Sequence, residues 1–404
     1  MKAGTMQSVQ RLIAGAAAFG FFFAPLALYV VGVRPVAFEN RELARAPDLE
    51  SGWAGLDQTS AWASDHLPGR LQAVRADSWL NYHVLGELPR ETSTQTAAPG
   101  PVQPAPTSTP AAPPAFTAVR GKDGYLFLGS EFTAACEFSE RFSESMRAWA
   151  RTAEIIKSSG RTVVFSVAPN KSSVTTAELP DTVPHGACAT DGIRAENEMI
   201  DAFRHPTYFS VRADLADAHG SGRQVYWRTD SHWTTVGGAI YARALARELA
   251  PALAARIQVG RTRVTKVGDL ARLTGLPSTE TVPLAILTAG GTVREGPGSP
   301  GYDPVTPVFD PQHWTTRPST GLVPGRSVLL GDSFTYATLP TLRPLFARGT
   351  FVWIGYSSER QIIAEIIRSD TVVMSLAQRS VVTHLFTTEK FQRRLAAKLR
   401  AASR

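Results

Sequence analysis

The stretch Arg326-Ser-Val-Leu-Leu-Gly-Asp-Ser333-Phe-Thr335 decides the fold. Its apolar run, residues 328–330, is typical of a buried strand and stops at Gly331. A serine follows where the chain turns toward a helix, so Ser333 is expected at the carboxyl end of a strand, where open α/β sheets bind ligands. Backbone N–H groups at the start of that helix would face an anion formed beside the serine. Because a serine hydroxyl is a weak nucleophile until a base removes its proton, the next question is where that base lies.

The segment Tyr226-Trp-Arg-Thr-Asp230-Ser-His232-Trp-Thr-Thr235 contains the best candidate. It lies just ahead of a helical pattern of apolar residues, for which Thr234 or Thr235 is a suitable N-cap. One ring nitrogen of His232 can accept the serine proton, while the carboxylate of Asp230 holds the other nitrogen and stabilises the imidazolium. Asp-x-His spacing also arises by chance, and a histidine before a helix is often structural, so spacing alone leaves both interpretations open.

Several motifs together resemble the alginate O-acetyltransferase family of the AlgJ/AlgX type. Gly331-Asp-Ser333-Phe resembles the nucleophile block of SGNH hydrolases, and Thr229-Asp-Ser-His-Trp-Thr234 resembles the Asp-x-His-Trp block of that family. The other similar blocks, in the same order as in the family, are Glu39-Asn-Arg-Glu-Leu-Ala44, Asp65-His-Leu-Pro-Gly-Arg70, Gly121-Lys-Asp-Gly-Tyr-Leu-Phe-Leu128 and Ala168-Pro-Asn-Lys-Ser-Ser173. As in that family, the acid–histidine pair precedes the serine, whereas typical SGNH hydrolases have the reverse order.

The resemblance implies a fold, a reaction and partners. The fold would be α/β, an SGNH hydrolase-like, mostly parallel sheet flanked by helices, which the alternation of strand and helix patterns also favours. Ser333 would carry an acetyl group as an acyl-enzyme, with His232 as base and then acid and Asp230 orienting it. The acceptor would be a hydroxyl of an exported polysaccharide, and a membrane-bound O-acyltransferase would supply the acetyl groups, with no cofactor required. Two alternatives stay open: an SGNH-type carbohydrate acetylesterase with the same residues, or a non-catalytic polysaccharide-binding subunit of an export complex.

Three further residues are candidates for oxyanion or substrate contacts. Asn170 follows a predicted strand at residues 161–167 and is placed to donate to an oxyanion, although a turn residue after Pro169 is the simpler interpretation. Its neighbour Lys171 is expected to form either an ion pair or a substrate contact, and Phe334 follows the nucleophile directly. In Ser375-Leu-Ala-Gln-Arg379, which resembles the family's Glu-Arg segment, a glutamine replaces the expected glutamate, so this segment predicts no role.

Composition narrows the class of protein. The formal net charge is +7, which favours an anionic partner such as an acidic polysaccharide or lipid headgroups, but the arginines are scattered and no nucleic-acid motif is present. The two cysteines, Cys136 and Cys188, do not have the spacing of a metal site, so no metal is expected, and in an oxidising compartment they can pair.

Changes in composition along the chain predict four parts. Residues 1–34 contain an apolar run at 12–33 and are predicted to be an uncleaved signal anchor, a transmembrane helix with its N-terminus inside. Residues 35–96 are predicted to be a helical membrane-proximal segment, and residues 97–118 a Pro/Ala-rich linker. Residues 119–404 form the predicted catalytic domain, so the protein is expected to be single-pass in the cytoplasmic membrane with this domain in the periplasm or outside the cell.

Within that domain, residues 259–320 are rich in glycine and proline and are predicted to be an irregular insertion, a lid or a substrate-facing segment. Tyr302, His313 and Trp314 are the aromatic residues there that would stack on sugar rings if the segment faces the substrate, although local anchoring is the simpler interpretation.

Overall fold

The computed structural model describes residues 118–273, 278–287, 291–297, 299, 308–318 and 321–402, together with scattered positions between residues 23 and 80. The chain divides into two compact units, one of residues 1–98 with 274–276 and one of residues 99–273 with 277–404. Of the first unit, the described residues include helical positions 27–30 and 62–63, and the ring of His66 stacks on that of Trp62 at 4.9 Å.

The described residues include no helix that is both long and apolar enough to span a bilayer. Of the predicted anchor at residues 12–33, positions 23 and 27–32 are described and the rest lies outside the described residues. Of the predicted linker at residues 97–118, only residue 118 is described.

The second unit is an α/β domain. Its strands are β1 Ala118–Arg120, β2 Leu126–Leu128, β3 Thr162–Ala168, β4 Ile257–Val267, β5 Thr279–Leu287, β6 Thr292–Glu295, β7 Gln312–Arg317, β8 Val323–Gly331, β9 Phe346–Trp353 and β10 Thr371–Ala377. Its helices are α1 Gly129–Lys157, α2 Lys171–Val174, α3 Ala187–Ala202, α4 Arg212–Gly220, α5 Thr235–Leu249, α6 Pro251–Ala254, α7 Asp269–Leu273, α8 Ser333–Leu342, α9 Glu359–Arg368 and α10 Glu389–Ala402, with short 3₁₀ turns between them.

The central sheet is mixed. Six strands pair in the order β3-β10-β8-β9-β7-β6, and the first four are parallel. β7 and β6 then extend the sheet in antiparallel fashion, so the expectation of a mostly parallel sheet holds for its centre and not for its β6 edge. Two separate antiparallel ribbons, β1-β2 and β4-β5, lie outside this sheet.

Two apolar cores lie on the two faces of the sheet, because successive side chains of a strand point to opposite faces. In β8, Leu329 belongs to the core formed with α5 and α8, whereas Val328 and Leu330 belong to the core formed with α1, α9 and α10. The parallel strands are therefore apolar at nearly every position, which explains why the run at residues 328–330 indicates a strand buried on both faces.

A third core joins the β1-β2 ribbon to the first turns of α1 and to α3. Cys136 of α1 and Cys188 of α3 form a disulfide with 5.0 Å between their Cα atoms. Gly192 lies one turn further along α3, where a Cβ would meet the carbonyl oxygen of Ala135 at 2.1 Å. The backbones of the two helices are therefore in direct contact beside the disulfide.

Residues 259–320 are more regular than the sequence predicts. They contain most of β4 and all of α7, β5, β6 and β7, and β4 pairs with β5 along nearly its whole length. Residues 207–211, in contrast, contribute only an isolated bridge, from Tyr208 to Phe165. In both segments, long-range pairing decides whether strands form, and the local periodicity of the sequence does not predict it.

We expect Gly192→Ala to destabilise the domain by about 1–3 kcal/mol, because the new methyl group overpacks the contact with Ala135. Gly220→Ala is the matched control: Gly220 ends helix α4 and has no heavy atom within 4 Å of a built Cβ. That control should change stability by less than about 1 kcal/mol, in the stabilising direction. Urea unfolding of both variants measures the difference, and equal midpoints would contradict the close contact between the two helices.

Candidate active site

The candidate site lies at the carboxyl edge of the four parallel strands. Their carboxyl ends meet at one edge, so the residues that follow them are brought together although they are far apart in sequence. Asn170 follows β3, Gln378 and Arg379 follow β10, and Ser333 follows β8. These are the strand ends from which an α/β sheet builds its ligand site.

The turn that presents Ser333 is fixed by Asp332. This residue caps helix α8: its Oδ1 accepts a hydrogen bond from the N–H of Phe334 at 2.9 Å. Its Oδ2 accepts another from the N–H of Ala377, at the end of the neighbouring strand β10, at 2.7 Å. Gly331 is required before it, because a Cβ there would lie 2.3 Å from Oγ1 of Thr335. Ser333 is therefore held as the first residue of α8, partly exposed at the edge of the sheet.

The acid–histidine loop, residues 226–234, is a tight turn ahead of helix α5. The N–H of Trp227 donates to the carbonyl of His232, and Tyr226 forms an antiparallel bridge with Trp233. The hydroxyl of Thr234 accepts from the first N–H groups of α5, which confirms it as the N-cap. These contacts place Asp230 and His232 at the tip of the turn.

Asp230 and His232 form a buried pair. Oδ1 of Asp230 lies 2.8 Å from Nδ1 of His232 and also accepts the backbone N–H of His232 at 2.9 Å. The carboxylate therefore favours the tautomer that has its proton on Nδ1. Nε2 is left as the basic nitrogen, and it is buried with no hydrogen-bond partner in the described chain.

His232 lies beside the residue that follows Ser333. The His232 and Phe334 rings are 5.0 Å apart, and Nε1 of Trp233 donates to Oγ1 of Thr338 in α8 at 2.8 Å. No hydrogen bond joins Oγ of Ser333 to Nε2 of His232 among the described residues. Such a base–nucleophile contact commonly closes only when substrate binds. The structure thus brings the two predicted segments to the same end of α8.

A second layer of charges lies behind Asp230. Nζ of Lys266, in β4, lies 2.7 Å from Oδ2 of Asp230, and the N–H of Asp269 donates to the same oxygen at 3.0 Å. Burial alone would raise the pKa of Asp230, but the charges of Lys266 and His232 and their hydrogen bonds outweigh it and hold that pKa well below its usual value. Asp230 is therefore ionised throughout the neutral range.

Lys171 is a structural residue rather than the predicted substrate contact or ion-pair residue. It is fully buried, and its ammonium donates to the carbonyls of Leu126, Arg228 and Asp230 at 2.6, 2.7 and 3.2 Å. Burial lowers the pKa of Lys171 to about 8, although nearby acids led by Glu131 oppose the shift. All three of its donors are used to hold the acid–histidine loop, so none is left for a substrate.

Asn170 is held by the Gln378–Arg379 segment that follows β10. Its Oδ1 accepts from the backbone N–H and Nη1 of Arg379, at 3.4 and 3.3 Å, and its own N–H donates to Oε1 of Gln378. Since Arg379 occupies the oxygen, the amide orientation is fixed and Nδ2, which has no hydrogen bond within the described chain, is the free donor.

Phe334 does not have the expected role. Its N–H is used by Asp332, and its fully buried ring contacts the His232 and Trp233 rings at 5.0 Å. It forms the floor beneath the histidine instead of contacting an oxyanion or a substrate.

Of the three aromatic residues considered for sugar stacking, the two that the structure describes make local contacts, as the simpler interpretation expects. Trp314 is buried, and its Nε1 donates to the carbonyl of Arg343 at 3.0 Å. His313 is exposed and pairs with Oγ1 of Thr350, while Tyr302 lies outside the described residues.

Asp332, Lys266, Asp269 and Arg379 are the functional neighbours that sequence reasoning missed. Asp332 was quoted in the nucleophile block and given no role, although an aspartate just before a helix signals an N-cap. Arg379 lies with its guanidinium 5.4 Å from the centre of the Phe334 ring, in the Gln-Arg segment to which no role was assigned. Lys266 and Asp269 have no local signal, because only the pairing of β4 with β5 places them behind the acid–histidine loop.

A metal ion is not needed to explain the charges here. Within the described residues, Asp230, His232 and Asp269 offer ligand atoms within 4.8 Å of one another. The ammonium of Lys266 already contacts Asp230, and both oxygens of Asp269 accept hydrogen bonds from Ser231, at 2.7 and 2.6 Å. The donor set is therefore already satisfied by protein groups, and we assign it to orienting the histidine.

The comparison with protein families identifies the domain. The family model described as SGNH hydrolase-like domain, acetyltransferase AlgX, matches residues 118–293. This segment of the chain resembles that acetyltransferase domain. The resemblance inferred from the sequence motifs is confirmed, and the fold is an SGNH-like α/β domain with a mixed sheet flanked by helices. The AlgX match includes Asp230 and His232 and ends before Ser333.

The search of solved structures found three bacterial proteins, among others, to which this chain is similar. The O-acetyltransferase domain of Pseudomonas putida AlgJ is 18% identical, covers 70% of this chain and 99% of its own, and has a TM-score of 0.42. Bacillus cereus PatB1 with a sulfonyl adduct is 12% identical, with coverages of 67% and 98% and a TM-score of 0.46. Pseudomonas aeruginosa AlgX is 16% identical, with coverages of 70% and 66% and a TM-score of 0.39. No curated protein sequence matches the chain.

Glu196 makes stability depend on pH beneath this site. Its buried carboxyl accepts a 2.6 Å hydrogen bond from Nε2 of Gln378, and burial raises its pKa to about 7. Between about pH 4.5 and 7 the folded chain therefore holds a proton that the unfolded chain releases. The free energy of unfolding must fall as pH rises through this window.

We expect Glu196→Gln to remove this loss, since an amide cannot ionise. The free energy of unfolding of the variant should be close to that of the unmodified protein at pH 4.5. At pH 8 it should be higher by up to about 3 kcal/mol. Urea unfolding across this range measures the difference, with Glu198→Gln, an exposed position on the same helix, as the matched control. A difference that does not change with pH would show that the Glu196 carboxyl is ionised in the folded protein.

Proposed function

We propose that this chain is an O-acetyltransferase that carries an acetyl group as an ester of Ser333 and delivers it to a hydroxyl of an exported polysaccharide. The observation that carries the proposal is the state of His232. Its Nδ1 is held by Asp230, and its Nε2 is buried, without a partner in the described chain, beside the residue that follows Ser333. The AlgX acetyltransferase family match supports the group that is transferred.

The proposed reaction has two steps. In the first, Oγ of Ser333 attacks the acetyl carbonyl of the donor while Nε2 of His232 takes the serine proton, and the leaving group departs with that proton. In the second, the acceptor hydroxyl attacks the acetyl-serine, His232 takes its proton, and Ser333 is released with the proton returned to Oγ. In this scheme, the N–H of Ser333 at the start of α8 and Nδ2 of Asn170 donate to the developing oxyanion.

The acceptor side of the site is proposed to include Tyr356. Gly331 and Trp353 are paired at the ends of β8 and β9, so Ser333 and Tyr356 lie just beyond the ends of neighbouring strands. The Tyr356 ring is 46% exposed and stacks on Phe309 at 3.8 Å, while Trp353 contacts both rings edge-on. A braced, exposed aromatic ring beside a nucleophile is a suitable surface for the apolar face of a sugar.

The cellular setting is part of the proposal. The disulfide between Cys136 and Cys188 supports an oxidising compartment such as the periplasm, and the apolar run at residues 12–33 supports a single membrane anchor. In this arrangement a separate membrane-bound O-acyltransferase supplies the acetyl groups, because this chain offers one apolar run long enough to span.

Ser333→Ala should abolish acetyl transfer and leave folding intact, because the nucleophile is lost while the cap at Asp332 is kept. The measurement is intact-mass analysis of the full-length protein after a short incubation with a chromogenic acetyl ester. We expect an added acetyl group in the unmodified protein, absent in the variant and retained in Ser357→Ala, which changes a serine after the neighbouring strand β9. Undiminished labelling of Ser333→Ala would rule out the acyl-enzyme.

Tyr356→Ala should reduce transfer to an oligosaccharide acceptor about tenfold, which corresponds to losing roughly 1–1.5 kcal/mol of stacking. Release of acetyl to water should stay within a factor of two, because water does not use the ring. Tyr356→Phe keeps the ring and should retain transfer. An equal loss of transfer and of acetyl release to water in Tyr356→Ala would contradict an acceptor role for the ring. In the unmodified protein, acetyl release to water that is faster than transfer would indicate an esterase instead.

A further inference from the structure

The ribbon β4-β5 is the back wall of the acid–histidine loop. Oε1 and Oε2 of Glu280 in β5 accept the N–H groups of Thr229 and Arg228, at 2.7 and 2.8 Å. Asp269, just after β4, accepts the N–H and hydroxyl of Ser231. Lys266 in β4 contacts Asp230 itself. The inserted ribbon therefore contacts nearly every residue of the loop tip and delivers three charges to it.

Two carboxylates face the same nitrogen of His232. Nδ1 lies 2.8 Å from Oδ1 of Asp230 and 3.4 Å from Oδ2 of Asp269, with the hydroxyl of Ser231 at 3.3 Å. The single Nδ1–H proton serves Asp230, so Asp269 acts on the ring through its charge alone. Two negative charges at this distance strongly stabilise an imidazolium.

A general base must be neutral at the pH at which it works, so this arrangement requires a compensating cation. Lys266 is that cation. Its Nζ is 2.7 Å from Oδ2 of Asp230, and it lies 5.2 Å from the centre of the Trp227 ring, which fixes its direction by a cation–π contact. The side chain is about one third exposed, so the ammonium keeps part of its hydration.

We propose that Lys266 is a positioning residue that sets the pH range in which His232 works as a base, by offsetting one of the two carboxylates at Nδ1. The proposal rests on the function proposed above, in which His232 removes the proton of Ser333. Lys266 does not touch the reacting atoms and acts through Asp230. Asp269, three residues further along at the start of α7, acts in the opposite direction, so the two residues form a matched pair for a test.

Other charged groups packed around the histidine are left unchanged by this test. On the opposite side, the guanidinium of Arg379 lies 5.4 Å from the Phe334 ring, which contacts His232. Below the loop, the ammonium of Lys171 contacts the carbonyl of Asp230, and Glu280 contacts the N–H groups of residues 228 and 229. These groups act on His232 equally in all the variants. A change in the pH profile between variants therefore comes from the substitution at Lys266 or Asp269.

The test compares pH profiles of kcat/KM for acetyl transfer in the full-length protein. Lys266→Met should move the acid limb to higher pH by about one unit, and Asp269→Asn should move it to lower pH by a similar amount. The double variant should return the limb close to that of the unmodified protein, and Lys266→Arg should leave it in place. If the ribbon only braces the loop, the variants should have a lower kcat/KM at every pH, and the acid limb of the profile should not move. That result would overturn the proposal.

A second readout separates this proposal from the proposed reaction. The chain has eight histidines, so ¹⁵N-histidine NMR titration, with His232→Gln to assign the signal, follows protonation without any turnover. The titration midpoint of His232 should move in opposite directions in Lys266→Met and Asp269→Asn. If Ser333→Ala retains activity while the midpoints move, the acyl-enzyme fails and the role of Lys266 stands. Midpoints that coincide in the two variants overturn the role of Lys266, whatever the activity shows.

Discussion

The buried ammonium of Lys171 is the contact on which the geometry of the site depends. It follows the end of β3 and donates to carbonyls of β2 and of the acid–histidine loop, so it ties three segments to one point at the edge of the sheet. An unpaired buried charge would cost several kcal/mol, and each of these carbonyls would otherwise be an unsatisfied acceptor. The position of Asp230 relative to the sheet is therefore set by a cation that no substrate needs to contact.

The second constraint is the packing of α5 against α8. Helix α5 follows the acid–histidine loop and α8 begins at Ser333. The two helices meet where a Cβ built on Gly238 would lie 3.3 Å from the side chain of Thr338. The indole of Trp233 donates to the same threonine. Two segments that lie about a hundred residues apart are thus aligned by side chains that take no part in the chemistry. The carboxylate of Asp332 completes the alignment by joining the turn before Ser333 to the end of β10.

Local sequence was enough to predict the strand before Ser333, the N-cap at Thr234 and the pairing of Asp230 with His232, because these depend on residues within a few positions of one another. It did not predict the position of Phe334, whose ring is buried by elements distant in sequence. It also failed for Lys266 and Asp269, which reach the histidine only because β4 pairs with β5 outside the central sheet. The motifs therefore predicted which side chains form the candidate site. They did not predict the charged residues around it, whose positions depend on long-range strand pairing.

The strand order has a consequence for how the domain is made. β3 is synthesised first, yet its ladder partner is β10, and the central strand β8 lies between β10 and β9, all three from the last fifth of the chain. The parallel centre of the sheet therefore cannot form in a nascent chain until synthesis is nearly finished. Until then, the apolar side chains of β3 and of the helices that pack on the sheet lack the strands that cover them in the finished domain.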